Sequence, residues 1–502
     1  MLVVISDLHF TDGTAGEHNL PCEAFDSVFL SDIASLAVEK EAEEITILLL
    51  GDILDLIRSE QWFEERPEDR PWGKNGLRDI SDYRPGGRTE ERCLKILGRM
   101  PKNGHKPAKE NTILFKNWDT FELFRNLASI LREKIEEERD REDLAFRFEG
   151  EIKFIYVIGN HDRLVNLYPS VRDEAARILG LSSQVQAKQT APGCQWWYPY
   201  EFKDEPGLSC YSVHARHGHL CDIWNYSGKH NGCDGFTRED YLQAPIGDVL
   251  TTEFAVKIPW KVDRLLRNSD PRLRRDAVEN LKGIDNVRPL SKVVSWIYYR
   301  IKNTELPEVR EAFDKAVHEV GSELLDVELL RQWKNDGTVW ASIFRLLSNP
   351  LVSWLPKRII DGVDAEKLLG AAMSMMSDPS DPTRDINVQT AFKDCCSMGE
   401  ARHILNGHTH NPMQQPLLVH EAKETIYINT GTWRPRNFST FVPEDSESKE
   451  ERERKKGTSA FIELKQLTYA VFYRTDENMR DKKPGTYSFD VWTGSKKKSY
   501  RL

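Results

Sequence analysis

Apolar, largely β-branched runs in this chain end abruptly on glycine or on a polar side chain. LVVIS stops before Asp7 and His9, and ITILLL stops before Gly51 and Asp52. FIYVI stops before Gly159, Asn160, His161 and Asp162, and HILN before Gly407, His408 and His410. Uninterrupted apolar runs of this kind suit strands buried on both faces of a sheet. The polar residues at their ends then lie at the carboxyl edge, where open α/β sheets place their sites. CYSVHARHGHLCD adds a strand running into His217 and His219, and ETIYINTGTW adds another. One such end alone says little, because Gly-Asn and Gly-Asp are ordinary turn chemistry.

Set together, the strand ends carry D-x-H, G-D, G-N-H-D, H-G-H and G-H-T-H. The side chains are carboxylates, one amide and imidazoles, with no thiolate. That mixture suits hard or borderline divalent ions such as Mn²⁺, Fe²⁺ or Zn²⁺, and argues against a cysteine-rich structural zinc site. Two ions need about seven or eight ligating groups, and one carboxylate bridges ions roughly 3.5–4 Å apart. Asp7, His9, Asp52, Asn160, His217, His408 and His410 supply that number. In an extended segment the D-x-H and H-x-H spacings put both side chains on one side, within reach of one ion. Each of these residues alone also fits turn and capping chemistry; the ordered set carries the metal reading.

The ordered set resembles the calcineurin-like metallophosphoesterase superfamily, whose pattern runs D-x-H, G-D, G-N-H-D/E, H, G-H-x-H. Every element stands here in order, across roughly residues 1–220 and 400–435, and the rest of the chain is outside the resemblance. The resemblance implies an α/β fold of two mixed sheets packed face to face with helices outside, a four-layer α/β/β/α sandwich. It implies that Asp7, His9 and His410 hold one ion and Asn160, His217 and His408 a second, with Asp52 bridging. His161 would be the histidine that stands beside the substrate phosphate without binding metal. His161 and Asp162 are therefore the expected catalytic residues, the imidazole serving the leaving group and the carboxylate orienting the shell. Among neighbouring histidines the H-G pair favours His217; His214 reads as a strand histidine. His219 and Asp55 are expected close behind the ligands or against substrate, Asp55 as a helix-start carboxylate after the Gly51–Asp52 turn.

The chemistry expected is metal-dependent phosphoester hydrolysis, with diesters favoured over monoesters and two divalent ions, first of all Mn²⁺, as cofactors. Within the superfamily the chain looks most like bacterial cytosolic phosphodiesterases. It departs from the lipid A pathway pyrophosphatases, which usually lack histidine in the G-N-x-D position. A Mn²⁺-dependent nuclease acting on DNA or RNA is the alternative enzyme. The nucleases of the DNA-repair type usually work with a coiled-coil ATPase, and this chain carries no GxxxxGK[ST] motif. A non-catalytic scaffold on the same fold is the alternative from another class, and missing ligands would mark it. Here the full set is present.

At 502 residues the chain exceeds one simple core. Residues 1–235 are expected to form the first part of a catalytic domain, with a loop insertion at about 60–111 rich in Pro, Gly and charge. Residues 236–400 read as an inserted all-helical cap. Residues 401–502 read as the second part, with C-terminal strands and a basic tail. Within the cap, EVREAFDKAVHEVGSELLDVELLRQWK has helical spacing, and TVWASIFRLLSNPLVSWLPKRII reads as two short helices split at Pro350. PEDSESKEERERKKG reads as a disordered loop. A net charge of −10 argues against a dominant attraction to nucleic acid or anionic membrane. Residues 251–300 interleave Lys and Arg with Trp260, Trp296, Tyr298 and Tyr299. They read either as a surface for a phosphate-rich polymer or as an aromatic core with a charged exterior. The stripe Val293, Val294, Trp296, Ile297 favours the core. No apolar run is long enough for a transmembrane helix, and a strand beginning at Leu2 leaves no room for a leader. Scattered cysteines without CxxC spacing point to reduced thiols and a cytoplasmic location.

Overall fold

The structure is a computed structural model. It describes residues 1–16, 20–77, 86–102, 104–107, 111–181, 201–203, 211–222, 225, 244–288, 292–324, 326–329, 402–420, 423–440, 460–474 and 488–493.

Two five-stranded mixed sheets form its centre. In the first, β1 (Leu2–Ile5), β2 (Ile45–Leu50) and β3 (Ile152–Val157) run parallel. Antiparallel strands β12 (Thr468–Tyr473) and β13 (Ser488–Thr493) extend its β1 edge. In the second, β5 (Val213–Arg216), β7 (His403–Asn406) and β9 (Lys423–Asn429) run parallel. Antiparallel β4 (Glu201–Lys203) and β8 (Met413–His420) close its edges.

Side chains alternate between faces along each strand, and β2 shows why its sequence is apolar throughout. Ile45, Ile47 and Leu49 join the helix-side core, which takes in Phe25 and Ile33, Phe121 and Leu131, and Val171 and Ile178. Leu48 and Leu50 point the other way, into a cluster with Leu2, Val4 and Val157 from the first sheet and Val213, Ala215, Leu405 and Ile428 from the second. The two sheets therefore pack face to face, with helices Ser31–Glu39, Trp118–Arg125, Leu127–Arg141 and Pro169–Leu179 outside the first. On the outer face of the second sheet Ile404 and Tyr427 are buried with Met413 and Leu417. The expectation of a fourth, helical layer there falls outside the described residues.

Two sequence expectations need correction. Residues 60–111 are not one long loop: they form 3₁₀ turns at Glu60–Glu64 and Pro67–Asp69 and a helix at Arg88–Leu97. Their Trp62 and Trp72 are buried, because composition hid two large apolar anchors among the prolines and charges. The segment expected as all-helical does contain helices Lys257–Leu265, Pro271–Glu279, Val293–Lys302 and Pro307–Leu324, around a core of its own that includes Ile258, Leu281, Trp296 and Phe313. It also contains β6 (Val287–Arg288), which pairs parallel with β10 (Arg436–Thr440). With β11 (Ala460–Leu464) these make a third small sheet. A two-residue strand has no period to read, which is why the sequence did not reveal it.

Buried polar contacts fasten this segment to the rest of the molecule. Glu253 accepts from Arg70 Nη1 at 2.6 Å, Trp72 Nε1 at 2.8 Å and Lys257 Nζ at 2.7 Å. Arg163 pairs with Asp248 at 2.9 Å, and Thr252 Oγ1 donates to the carbonyl of Ile57 at 2.8 Å. Trp296 is fully buried and Val293 and Ile297 nearly so, so the aromatic stripe serves a core. The expected helices at 338–360 and the loop at 443–457 lie outside the described residues. No helix among the described residues is long and apolar enough to cross a membrane.

Candidate metal centre

The polar ends of β1, β2 and β7 turn sharply, and the backbone records it. Asp7, His9, Asp52, His408 and His410 all have positive φ, between 49° and 69°. Non-glycine residues rarely adopt this region, and such strain gathers where side chains must be aimed. The convergence of D-x-H and H-x-H is therefore not that of an extended segment, as the spacing implied. Consecutive left-handed turns beyond β1 and β7 produce it. At Gly51, with φ 84°, a Cβ would collide with the His217 ring and with the amide of Gly159, so only glycine lets the two strand ends and that ring pack this closely.

The loops are tied to one another. Asp162 accepts from the backbone amides of Asp52 at 2.6 Å, Ile53 at 3.1 Å, Leu54 at 3.0 Å and Gly159 at 2.9 Å. Fully buried, its carboxylate locks two strand ends together. Burial, with the charge of Asp52, pushes it up to about 6 against those hydrogen bonds. Both Asp7 oxygens accept the amide of His408, and Thr432 Oγ1 donates to the carbonyl of Asp7 at 2.8 Å.

Three groups of side chains result: two share Asp52, and His9, Asp55 and His161 make the third. Asp7, His9, Asp52 and His410 form one; Asp52, His217 and His408 form the other, and within each group one ligand atom per residue lies within 4.8 Å of the rest. In the first, the Nε2 atoms of His9 and His410 approach to 3.0 Å, and His410 Nε2 lies 3.2 Å from Asp7 Oδ1. Asp52 Oδ2 lies 3.7 Å from His9 Nε2 and 3.2 Å from His217 Nε2, so one oxygen faces both groups. Asn160 joins the second group, its Oδ1 3.1 Å from His408 Nδ1. All seven predicted ligands therefore meet in one place.

The donor set fits divalent ions by a sharper criterion than proximity. A metal-binding imidazole usually donates its other N–H to an acceptor, which fixes the tautomer. His9 Nδ1 lies 2.9 Å from Asp55 Oδ2, His217 Nδ1 lies 2.8 Å from the carbonyl of Leu50, and His408 Nε2 lies 2.9 Å from Asp222 Oδ2. Each of these rings thus turns its remaining nitrogen inward. His217 Nε2 is buried and faces Asp52 Oδ2 at 3.2 Å. Asn160 Nδ2 donates to Asn225 Oδ1 at 3.2 Å, and Asn225 in turn to Asp222, so the amide oxygen is the end presented to the centre. His410 differs: its outward Nδ1 meets Arg288 Nη2 at 2.6 Å.

Electrostatics agree with crowded, unneutralised carboxylates and imidazoles. Burial raises Asp7 to about 6, helped by Asp52 and opposed by His217. Burial also disfavours charge on Asp52, yet His217 and His161 outweigh it and hold Asp52 well below the usual carboxylate range. For His217 burial opposes protonation, but Asp52 and Asp7 prevail and raise it to about 10. Burial lowers His9 to about 4 and puts His219 and His410 well below the ordinary value.

His161 stands apart from the two groups that share Asp52. Its amide donates to Asp52 Oδ1 at 2.9 Å and its Nδ1 lies 3.0 Å from Asp55 Oδ1. Asp55 thus takes an imidazole on each oxygen and the Arg58 guanidinium at 3.0 Å as well. A carboxylate already neutralised by a cation is a hydrogen-bonding bridge, not a third metal position. No helix starts at Asp55, which corrects the reading of it as a helix-start residue: its carboxylate goes to two rings instead of backbone amides. Burial opposes protonation of His161, but Asp55 and Asp52 raise it to about 9. His219 is buried beside His217 and His408, with ring centroids 5.5 and 6.4 Å away. His214 points to Glu201 at 3.2 Å, away from the ligands.

Sequence reasoning missed Asp222, Asn225, Arg58, Asp285 and Arg288. Asp222 follows His217 by five positions, so distance along the chain was a usable signal for it. Arg288 had none.

No protein-family model matches the chain, and no curated protein does.

Proposed function

We propose that this protein is a metal-dependent phosphoester hydrolase of the calcineurin-like metallophosphoesterase kind, acting on phosphodiesters, with the four-layer sandwich that this reading entails. The observation that carries it is Asp52, whose single oxygen faces both His9 and His217 and so joins two ligand groups into one centre. Asp7, His9, Asp52 and His410 would hold one divalent ion and Asp52, Asn160, His217 and His408 the other, with Mn²⁺ the first candidate and Fe²⁺ or Zn²⁺ compatible with the same donors. Bound there, two ions lower the pKa of a water and neutralise phosphate oxygens during in-line displacement.

The chain's own groups supply the rest. His161 is not needed as a ligand and keeps a proton under the influence of Asp55 and Asp52. An imidazolium beside the centre can give that proton to the departing alkoxide. Asp55 holds its Nδ1 and so decides which nitrogen faces substrate. Asp162 contributes by fixing the Asp52 and Gly159 loops, without contact to substrate.

The test is hydrolysis of bis-p-nitrophenyl phosphate by the purified chain with Mn²⁺, beside Asp52→Asn and with metal content measured on both. About two ions per chain and activity that vanishes in the variant support a dinuclear phosphodiesterase. Activity on monoesters alone moves the reading to a phosphomonoesterase, and activity on DNA or RNA alone moves it to a nuclease. Two ions without hydrolysis of any of these leaves a scaffold.

A further inference from the structure

The segment between the two sets of motifs does more than cover the sheets. β6 is held against β10 by the pairs Asn437↔Val287 and Phe438↔Arg288, and Asn437 Nδ2 donates to the carbonyl of Gly283 at 3.3 Å. This register delivers the turn Ile284–Asn286 and Arg288 to the edge of the ligand cluster. Asp285 lies 2.8 Å from Arg58 Nε, and Arg58 reaches Asp55. Arg288 anchors Nη1 on its own loop, donating to the carbonyls of Asp285 at 2.8 Å and Val287 at 2.9 Å. Its Nη2 projects to His410.

Two features make this guanidinium unusual. Among the described residues no carboxylate lies within ion-pair distance of it, since Asp285 is engaged with Arg58 and Asp55 with Arg58, His9 and His161. A half-buried cation without a counter-charge is an anion site in waiting, and the planar fork of arginine matches phosphate oxygens. Second, donation to His410 Nδ1 requires the tautomer with its proton on Nε2. A neutral ring that offers Nε2 as a ligand carries its proton on Nδ1, and Nη2 then needs another acceptor.

We propose that Arg288 is the substrate-binding arginine of this centre, taking a non-bridging oxygen of the phosphoester on Nη2, and that the inserted segment thereby contributes to the site itself. This rests on the phosphoester hydrolase reading.

The experiment uses the full chain loaded with Mn²⁺, wild type beside Arg288→Ala and Arg288→Lys. Binding of inorganic phosphate is followed by titration calorimetry, metal content by elemental analysis, and kcat and KM with bis-p-nitrophenyl phosphate. The expected result is unchanged metal content in Arg288→Ala with phosphate affinity weakened about 10- to 100-fold, the worth of a charge-assisted hydrogen bond. KM should rise more than kcat falls, and free guanidinium should restore part of the affinity. Arg288→Lys, which keeps the charge in place, should recover only part of the loss, and it stands in should the alanine variant not fold. Unchanged phosphate affinity, or a loss that follows loss of metal, overturns the proposal. Hydrolysis by the wild type with unaltered phosphate affinity in both variants leaves the hydrolase reading standing and removes Arg288. Phosphate binding that needs Arg288, without hydrolysis of any ester, does the reverse.

Discussion

Asp55 holds His161 by a 3.0 Å contact from Oδ1 to Nδ1, and with its other oxygen it holds His9. One carboxylate therefore orients a proposed metal ligand and the proposed proton donor together. Asp55→Asn removes the negative charge that keeps His161 protonated, so the pKa of His161 falls toward its ordinary value. The pH–rate profile with Mn²⁺ should lose its alkaline side first, its basic limb moving to lower pH, and kcat should fall at least about tenfold. A basic limb at the same pH in variant and wild type would remove His161 as the proton donor.

Asp222 accepts from His408 on the side of the ring away from Asn160. Replacing such a partner typically costs about 10- to 100-fold in metal affinity. Asp222→Ala should therefore bind one ion more weakly by that factor while the other remains tight. A competition titration against a chelating dye resolves the two steps. Asp52→Asn should weaken both steps, because it removes the shared ligand.

Metal removal has a stability consequence as well. Asp7 and Asp52 are buried among the imidazoles of His9, His217 and His410, where divalent ions would neutralise both carboxylates. A ligand that binds the native state alone stabilises it, by about 4 kcal/mol at a thousandfold excess over Kd. Chelation should lower the midpoint of thermal unfolding of the wild type and leave Asp52→Asn almost unmoved. Equal shifts in both proteins would contradict the assignment of Asp52.

At the start of β7, His403 packs its ring against Phe472 and Phe489 at 5.1 and 5.0 Å, with Nδ1 3.2 Å from the carbonyl of Tyr211. Burial lowers its pKa to about 4. In the unfolded chain it takes up a proton near pH 6.5, whereas in the native state it resists until about pH 4. Stability from this group is thus complete above pH 6.5 and is lost as pH falls toward 4. Between pH 7 and 5 the loss is about 2 kcal/mol. His403→Gln should lower stability at neutral pH but show a drop over that interval smaller by about this amount in urea unfolding.

Glu253 is a buried hub for Arg70, Trp72 and Lys257, and those cations hold its carboxylate below the usual range despite burial. Glu253→Ala leaves the buried Arg70 without its carboxylate, while Lys257 keeps Glu323 at 2.8 Å, and should cost about 3 kcal/mol. The inserted segment should detach first, so limited proteolysis should cut near residues 244–256 before the sheets open. Cleavage distributed evenly over the chain would argue against a separately docked segment.

The strand ends were legible because their information is local. An apolar run followed by glycine and a polar side chain sets both the end of a strand and the residue presented there, and the seven positions chosen that way converge in three dimensions. Asp55 was legible in position but not in role, since its two partners sit on different loops. The 60–111 region and β6 misled for opposite reasons, the first hiding two tryptophans among charges and the second being too short for a pattern.

From the sequence alone came the order of buried strands and the carboxylates, amide and imidazoles at their ends. Only the tertiary structure decided which nitrogen of each imidazole faces inward, which carboxylate bridges two rings and which arginine enters from the inserted segment. Those are contacts between residues as far apart as Arg288 and His410 or Asp222 and His408. Nothing in the neighbourhood of Arg288 announces its contact, and the position of Asp222 near His217 does not say which ring it holds, because hydrogen-bond pairing across packed loops depends on where the loops lie, and that is settled by the cores beneath them.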